Sequence, residues 1–199
     1  MKARRAKKIR CEQCRQSVPG FDIVNCLSTD RQPRRLCSRC RNAEVAKAEG
    51  LDRFEHVRFE PVELVDSGGA THVFHFCTNL FGPGVSLDAF ELRDGERAGY
   101  QFQVIGGPED DLLALLGQLL QKMRRALAIK HVKSGEYGLQ IVEPHVVRGS
   151  IQWDEAWEGQ VPMLIVDGRE ISWEQFGHML MTYEGWQFKL EIRDMSEEV

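Results

Sequence analysis

Four cysteines in two close pairs carry the clearest chemistry in this 199-residue sequence. Cys11 and Cys14 form one C-x2-C pair, Cys37 and Cys40 the other, with 22 residues between the pairs. Two residues between thiols let the backbone curl so that both sulfurs face one ion. Two such pairs supply the tetrahedral sulfur set of a structural zinc site. With sulfur at every position the ion keeps no place for a water, so it would hold a fold and not catalyse. One structural Zn2+ bound by Cys11, Cys14, Cys37 and Cys40 is therefore the expected cofactor. A redox role for either pair needs a neighbouring βαβ pattern, and only a basic tail precedes Cys11. Cys26 has no spaced partner and reads as a small buried hydrophobe.

A second reactive-looking group is His72, His75 and Cys77. On a strand His75 and Cys77 share a face and His72 points the other way. A Cys–His pair serves either as nucleophile and base or as two ligands of a second metal. The flanking Val73, Phe74 and Phe76 favour packed sheet residues instead, so His75 and Cys77 stand as the alternative catalytic pair. The carboxylate pairs Asp110-Asp111, Asp154-Glu155 and Glu197-Glu198 read as a helix start, a turn and a tail. There is no phosphate-binding glycine loop, no H-E-x-x-H and no G-x-S-x-G. An enzyme is the weaker reading.

The cysteines need elements to position them. Pro19-Gly20 is a turn, residues 21–27 are strand-like, 28–33 are polar and turn-forming, and 34–36 return to Cys37. Helix formers then follow Cys40 as far as Gly50, which acts as a stop. Knuckle, hairpin and a cysteine pair opening a helix resemble the treble-clef zinc finger. That resemblance takes Cys11 and Cys14 from the knuckle and Cys37 and Cys40 from the helix start, where the helix N-terminus and Arg15, Arg35 and Arg39 favour thiolates.

Beyond Gly50 the pattern is that of a meander. Strands are expected over 54–64, 71–79, 85–92 and 100–105, with a hairpin turn at Asp66-Ser67-Gly68-Gly69 and an edge or bulge at Pro61. Residues 107–111 open a long helix reaching about residue 133, whose stripe Leu112, Leu116, Leu119, Leu120, Met123 and Leu127 packs on the sheet. Strands over 139–147 and 161–166 follow, the latter closed by Asp167-Gly168. A capping box at Ser172-Trp173-Glu174-Gln175, with the Ile171–Phe176 staple, opens a short helix to about residue 183, stopped by Gly185. The alternation of 186–192 predicts a final strand, with Trp173 and Trp186 in the core. Trp153 and Trp157, among acids, form a candidate partner surface. The fold class is α+β: a small treble-clef-like zinc finger, then an antiparallel sheet packed against one long and one short helix. The expected divisions are a basic tail (1–10), the finger (11–50) and the body (51–199), with a candidate subdivision near 134–138.

Charge divides the chain the same way. Residues 1–43 carry +9 and residues 44–199 carry −13, which a net charge of −4 conceals. Lys2, Arg4, Arg5, Lys7, Lys8, Arg10, Arg34 and Arg35 are the candidate phosphate contacts, unless the head instead lies on its own acidic body. Phe21 is the sole aromatic of the first 50 residues, so a stacking platform for single strands is missing. No stretch approaches the roughly 18 apolar residues of a membrane span. The basic run at the N-terminus lacks the apolar core of a secretory signal, and a cytoplasmic location is expected.

The run 167–192, from Asp167-Gly168 through Ser172-Trp173-Glu174-Gln175 to Trp186-Gln187-Phe188, resembles the C-terminal segment of an uncharacterised bacterial family headed by a paired-cysteine motif. The segments Gly99-Tyr100-Gln101-Phe102 to Gly107-Pro108 and Phe54-Glu55-His56-Val57-Arg58-Phe59-Glu60-Pro61 are similar to its middle. The resemblance implies no activity and no catalytic residues. The functional expectation is a zinc-binding interaction module whose partner is another protein, with nucleic acid as a contact of the basic head and no membrane. The alternative is an enzyme built on His75 and Cys77.

Overall fold

The computed structural model describes residues 7–27, 33–82, 84–136, 138–154 and 157–197. Lys2, Arg4 and Arg5, most of the polar turn over 28–33, Glu155 and Glu198 lie outside these residues. Every strand pair among the described residues is antiparallel. Mixed helix and sheet around an N-terminal cysteine cluster is the α+β class expected.

The head begins with β1 (Lys8–Arg10) paired to β2 (Ser17–Pro19). Cys11 to Cys14 sit in the turn between them. Arg15, at φ 62°, reverses the chain, and its N–H donates to the Cys11 carbonyl at 3.0 Å. A single 3-10 turn leads to β3 (Ile23–Leu27), which pairs with β4 (Pro33–Cys37). α1 (Ser38–Glu49) starts directly from Cys37 at its N-cap and ends on Gly50, whose φ of 69° suits a residue without Cβ. The head's buried cluster is small: Cys11, Val18, Leu36, Cys37 and Cys40, with Ile23 and Cys26 half-buried against it.

Four strands form the central sheet in the order β5 (Val62–Val65), β6 (Thr71–Phe81), β7 (Gly84–Arg93) and β8 (Glu96–Gly106). The β7–β8 turn is Asp94-Gly95, both at positive φ, the two-residue hairpin that matches strand twist. α2 (Leu112–Leu127) covers one face, burying Leu112, Leu115, Leu119, Met123 and Leu127 against Phe74, Leu80, Leu87 and Phe102. Leu115 takes the position expected of Leu116, which is only partly buried.

Several expected boundaries move. Only the last part of 54–64 is a strand. Residues 54–61 run unpaired beside β6, because Pro61 has no N–H to donate and side chains already occupy that edge. α2 starts after Asp111, whose side chain accepts the Leu113 N–H at 2.9 Å, and it stops at Leu127, short of 133. The cause of the early stop lies just beyond. The His131 and Val132 N–H groups donate to the buried Asp167 carboxylate at 2.8 and 2.9 Å, which commits them to β9 (Val132–Gly135).

β9 pairs with β10 (Gly138–Ile141), and a three-stranded sheet follows in the order β11 (Ser150–Trp153), β12 (Pro162–Val166) and β13 (Arg169–Ser172). The strand expected over 139–147 ends at Ile141, because Pro144 cannot donate and His145 sits at φ 63°. The capping box forms as expected: Gln175 N–H to Ser172 Oγ at 3.2 Å, and Ser172 N–H to Gln175 Oε1 at 3.0 Å. α3 (Trp173–Met181) packs Met179 and Phe176 on Val132, Val166 and Ile171, a core separate from that of α2. The two helices thus serve different sheets, α2 the central one and α3 the two smaller ones. No final strand forms over 186–192. Trp173 and Trp186 are both exposed, the former on the solvent side of α3 and the latter edge-on to His145 and Tyr183.

Candidate metal centre and its seam with the body

The β1–β2 turn and the first turn of α1 bring Cys11, Cys14, Cys37 and Cys40 together, with all four sulfurs within 4.8 Å of one another. Three are buried and Cys14 is exposed. Hydrogen bonds within the head support this arrangement. The Cys37 N–H donates to Cys11 Sγ at 3.3 Å, and Cys14 Sγ lies 3.9 Å from Cys37 Sγ. Burial pushes the Cys11 thiol up, but the N–H groups of Cys37, Cys14 and Gln13 outweigh it and bring the thiol down to about 6. Burial and the neighbouring thiols push Cys37 and Cys40 up instead. Four thiolates in so small a space would repel one another, and a cation that takes the place of their protons resolves the conflict. This cluster could hold a metal ion. Cys26 stays outside it, with its thiol against the Val24 carbonyl at 3.8 Å.

The head is joined to the body by a polar seam that its composition does not advertise. Asn42, in α1, is fully buried. Its Nδ2 donates to the Thr78 carbonyl at 2.7 Å, and its Oδ1 accepts the Leu80 N–H at 3.0 Å. One side-chain amide thereby satisfies the outer edge of β6 as a peptide group of a neighbouring strand would. Arg41 adds a bond to the Leu80 carbonyl at 2.5 Å, and Ala46 enters the core of the sheet. Nδ2 also faces His56 Nδ1 at 3.0 Å, which makes that nitrogen the acceptor, as suits a ring kept neutral by burial.

A cleft of about 880 Å³ opens between head and sheet, with Phe21, Arg39, His56, Arg58, His75 and Cys77 on its walls. His75 and Cys77 thus share this wall, but they do not form a prepared pair. The Cys77 thiol faces Asn79 Oδ1 at 3.8 Å, and burial pushes it up to about 11. His75 packs against the rings of Phe21 and Phe90, and burial pushes it down. Among the described residues the cysteine tetrad is the one group of three or more ligating side chains close enough for an ion, so no second metal centre forms here.

The basic candidates divide. Arg34 pairs with Glu44 at 3.1 Å and Arg35 with Glu12 at 3.3 Å, so both are partly neutralised within the head. Lys8 and Arg10 project from one face of β1, with Ile9 on the other, and Lys7 precedes them.

The sequence reading also missed a buried ionic cluster. Asp66 accepts the Gly68 and Ala70 N–H groups at 2.8 and 3.0 Å, His72 Nε2 lies at 3.1 Å and Lys130 Nζ at 2.5 Å. The other ring nitrogen of His72 faces Glu91 at 2.9 Å. Lys130, helped by His72 and the turn amides, holds the Asp66 carboxyl well below the usual carboxylate range. The signal was the Asp66-Ser67-Gly68-Gly69 turn, but nothing local joins it to Lys130 or Glu91.

Residues 10–52 match a family described as a domain of unknown function (DUF7685), residues 55–128 a second (DUF7686) and residues 131–197 a third (DUF7713). The chain is therefore similar to uncharacterised domains over most of its length, with the four-cysteine cluster in the first. No curated protein and no solved structure matches it. No helix among the described residues is long and apolar enough to cross a membrane.

Proposed function

We propose that the chain is a cytoplasmic interaction module built around one structural zinc in a treble-clef finger. The observation that carries this is the closed sulfur set: four thiols, three of them buried, converging on one point. In a tetrahedron of bonds of about 2.3 Å the sulfurs lie about 3.8 Å apart, close to the 3.9 Å between Cys14 and Cys37. Four soft ligands favour zinc and leave it no position for substrate. The order of knuckle, hairpin and helix supports the treble-clef assignment.

The partner is another macromolecule, most simply a protein, with the face of Lys7, Lys8 and Arg10 and the preceding Lys2, Arg4 and Arg5 offering a contact to nucleic acid. An enzyme using His75 and Cys77 gains the cleft wall they share, but it needs a thiolate where burial holds a thiol. The test has two arms. Purified protein should carry one zinc per chain, and replacing all four cysteines should abolish it. Binding to duplex and single-stranded oligonucleotides is then titrated with salt. A nucleic-acid contact gives affinity that falls steeply with salt, and Ala at Lys2, Arg4, Arg5, Lys7 and Lys8 flattens that slope. No binding at about 50 mM salt, where screening is weak, removes nucleic acid and leaves the protein partner.

A further inference from the structure

The segment 186–193 has the pattern of a strand, and among the described residues no strand pairs with it. Its apolar residues alternate, and all are turned to solvent: Trp186 is 65%, Phe188 90%, Leu190 74% and Ile192 70% exposed. Lys189 pairs with Glu191 at 3.2 Å, and Arg193 pairs with the same carboxylate. These i,i+2 pairs put the charged residues on one side of an extended chain and the apolar ones on the other. Among the described residues no backbone hydrogen bond joins 187–193 to any strand. Yet the segment is held at both ends. Trp186 rests edge-on against His145 and Tyr183 at 5.5 and 5.4 Å, while Lys122 Nζ donates to the Met195 and Glu197 carbonyls at 2.6 and 2.8 Å. A strand fixed at its ends has already lost much of the freedom that pairing would cost.

Its charges specify what pairs with it. We propose that 187–193 forms an antiparallel two-stranded ribbon with the same segment of a second copy of this chain, centred on Leu190. Three central registers keep the apolar residues of the two copies on the same side of the ribbon. With Phe188 on the two-fold axis, Lys189 faces Gln187 and Glu191 falls opposite Gly185. With Lys189 on the axis, it faces its own copy, like charge against like. With Leu190 on the axis, Lys189 faces Glu191 twice, Gln187 faces Arg193 twice and Phe188 faces Ile192 twice. Only the last register pairs opposite charges and apolar residues throughout 187–193, and it leaves Trp186 beyond the ribbon, against His145 and Tyr183. It is also an isologous contact, which closes at two chains.

The apolar side of that ribbon belongs to a unit rich in exposed apolar surface. Of the 17 exposed large apolar side chains among the described residues, 12 lie in 131–197, Ile151, Trp153 and Met181 with them. Such a concentration exceeds what scattered surface residues explain.

The experiment measures the mass of the full-length, metal-loaded protein by sedimentation over a wide concentration range. Wild type should contain two chains per particle. Lys189→Glu and Glu191→Lys should each weaken self-association roughly tenfold or more, because two attractive pairs become repulsive. The double variant Lys189→Glu/Glu191→Lys should restore it, and Leu190→Asp should abolish it. These positions are exposed, so far-UV circular dichroism and zinc content should be unchanged in all four variants. A wild type that stays monomeric overturns the proposal. So does a dimer that survives Leu190→Asp, or a charge swap that fails to rescue two dissociating single variants.

Discussion

The head and the C-terminal unit face the same difficulty and solve it differently. Both are small, and neither can bury a large apolar core. The head gathers three cysteines with Val18 and Leu36, so sulfur takes the place of hydrocarbon. The C-terminal unit gathers Val132, Val166, Ile171 and Met179 and leaves its four tryptophans and the 186–192 alternation in solvent. One unit has a cysteine cluster that could draw cohesion from an ion inside it. The other presents its unspent apolar surface outward, where a neighbour can cover it. The comparison teaches that a shortage of core is a functional statement as much as a structural one.

Removing the metal should separate the two most sharply. A chelator, or Cys37→Ser, should unfold residues 11–50 and leave α2, the central sheet and the C-terminal unit protected, because a structural ion's binding energy is also folding energy. Limited proteolysis with zinc analysis checks this. Uniform protection of the head in metal-free protein would contradict it.

Cutting the seam should do less. Asn42→Ala leaves the Thr78 carbonyl and the Leu80 N–H buried without partners, so we expect a loss of about 2–4 kcal/mol in chemical denaturation. Zinc content should be unchanged, since Asn42 touches no sulfur. The result sharpens the contrast by showing whether the head folds on its ion alone or needs the sheet.

Asp66 tests the opposite end, where Lys130 leads into the C-terminal unit. The Asp66 pKa is lower folded than unfolded, so its stabilisation is complete above the unfolded value near 3.9 and is lost as pH falls through the folded one. Asp66→Asn should cost about 1.5–3 kcal/mol at neutral pH. The gap to wild type should narrow steadily as pH drops below about 4. A gap independent of pH would show that the charge contributes nothing.

The smallest effect belongs to the cap. Ser172→Ala should lower stability by about 1 kcal/mol, read as a modest fall in the denaturation midpoint. A much larger loss would mean that the C-terminal unit depends on local helix signals more than its exposed surface suggests.

What could be read from the sequence was local. The C-x2-C spacing places two sulfurs on one ion wherever the chain goes, and Ser172 with Gln175 states its own hydrogen bonds. The 3.6-residue stripe of α2 names its buried side to within one position, Leu115 for Leu116. Asn42 could not be read, because an asparagine in a helix looks the same whether it meets water or the edge of a sheet. Nor could the union of His72 with Asp66 and Glu91, which depends on β6 and β7 lying side by side. The alternation of 186–192 was correct as chemistry and misleading as architecture. Among the described residues no strand of the fold pairs with it.

The amide of Asn42 has one more consequence. By occupying the Thr78 carbonyl and the Leu80 N–H, it closes a strand edge that would otherwise accept a foreign strand. That amide rides on α1, whose first turn is fixed to the cysteine cluster. Oxidation of the thiols or loss of the ion would therefore swing the plug away from β6 and bare a template for edge-to-edge polymerisation. Under metal starvation or oxidative stress the danger to this protein would be insolubility before it was loss of any contact. An occupied cysteine cluster would then protect the sheet edge as well as hold the shape of the head.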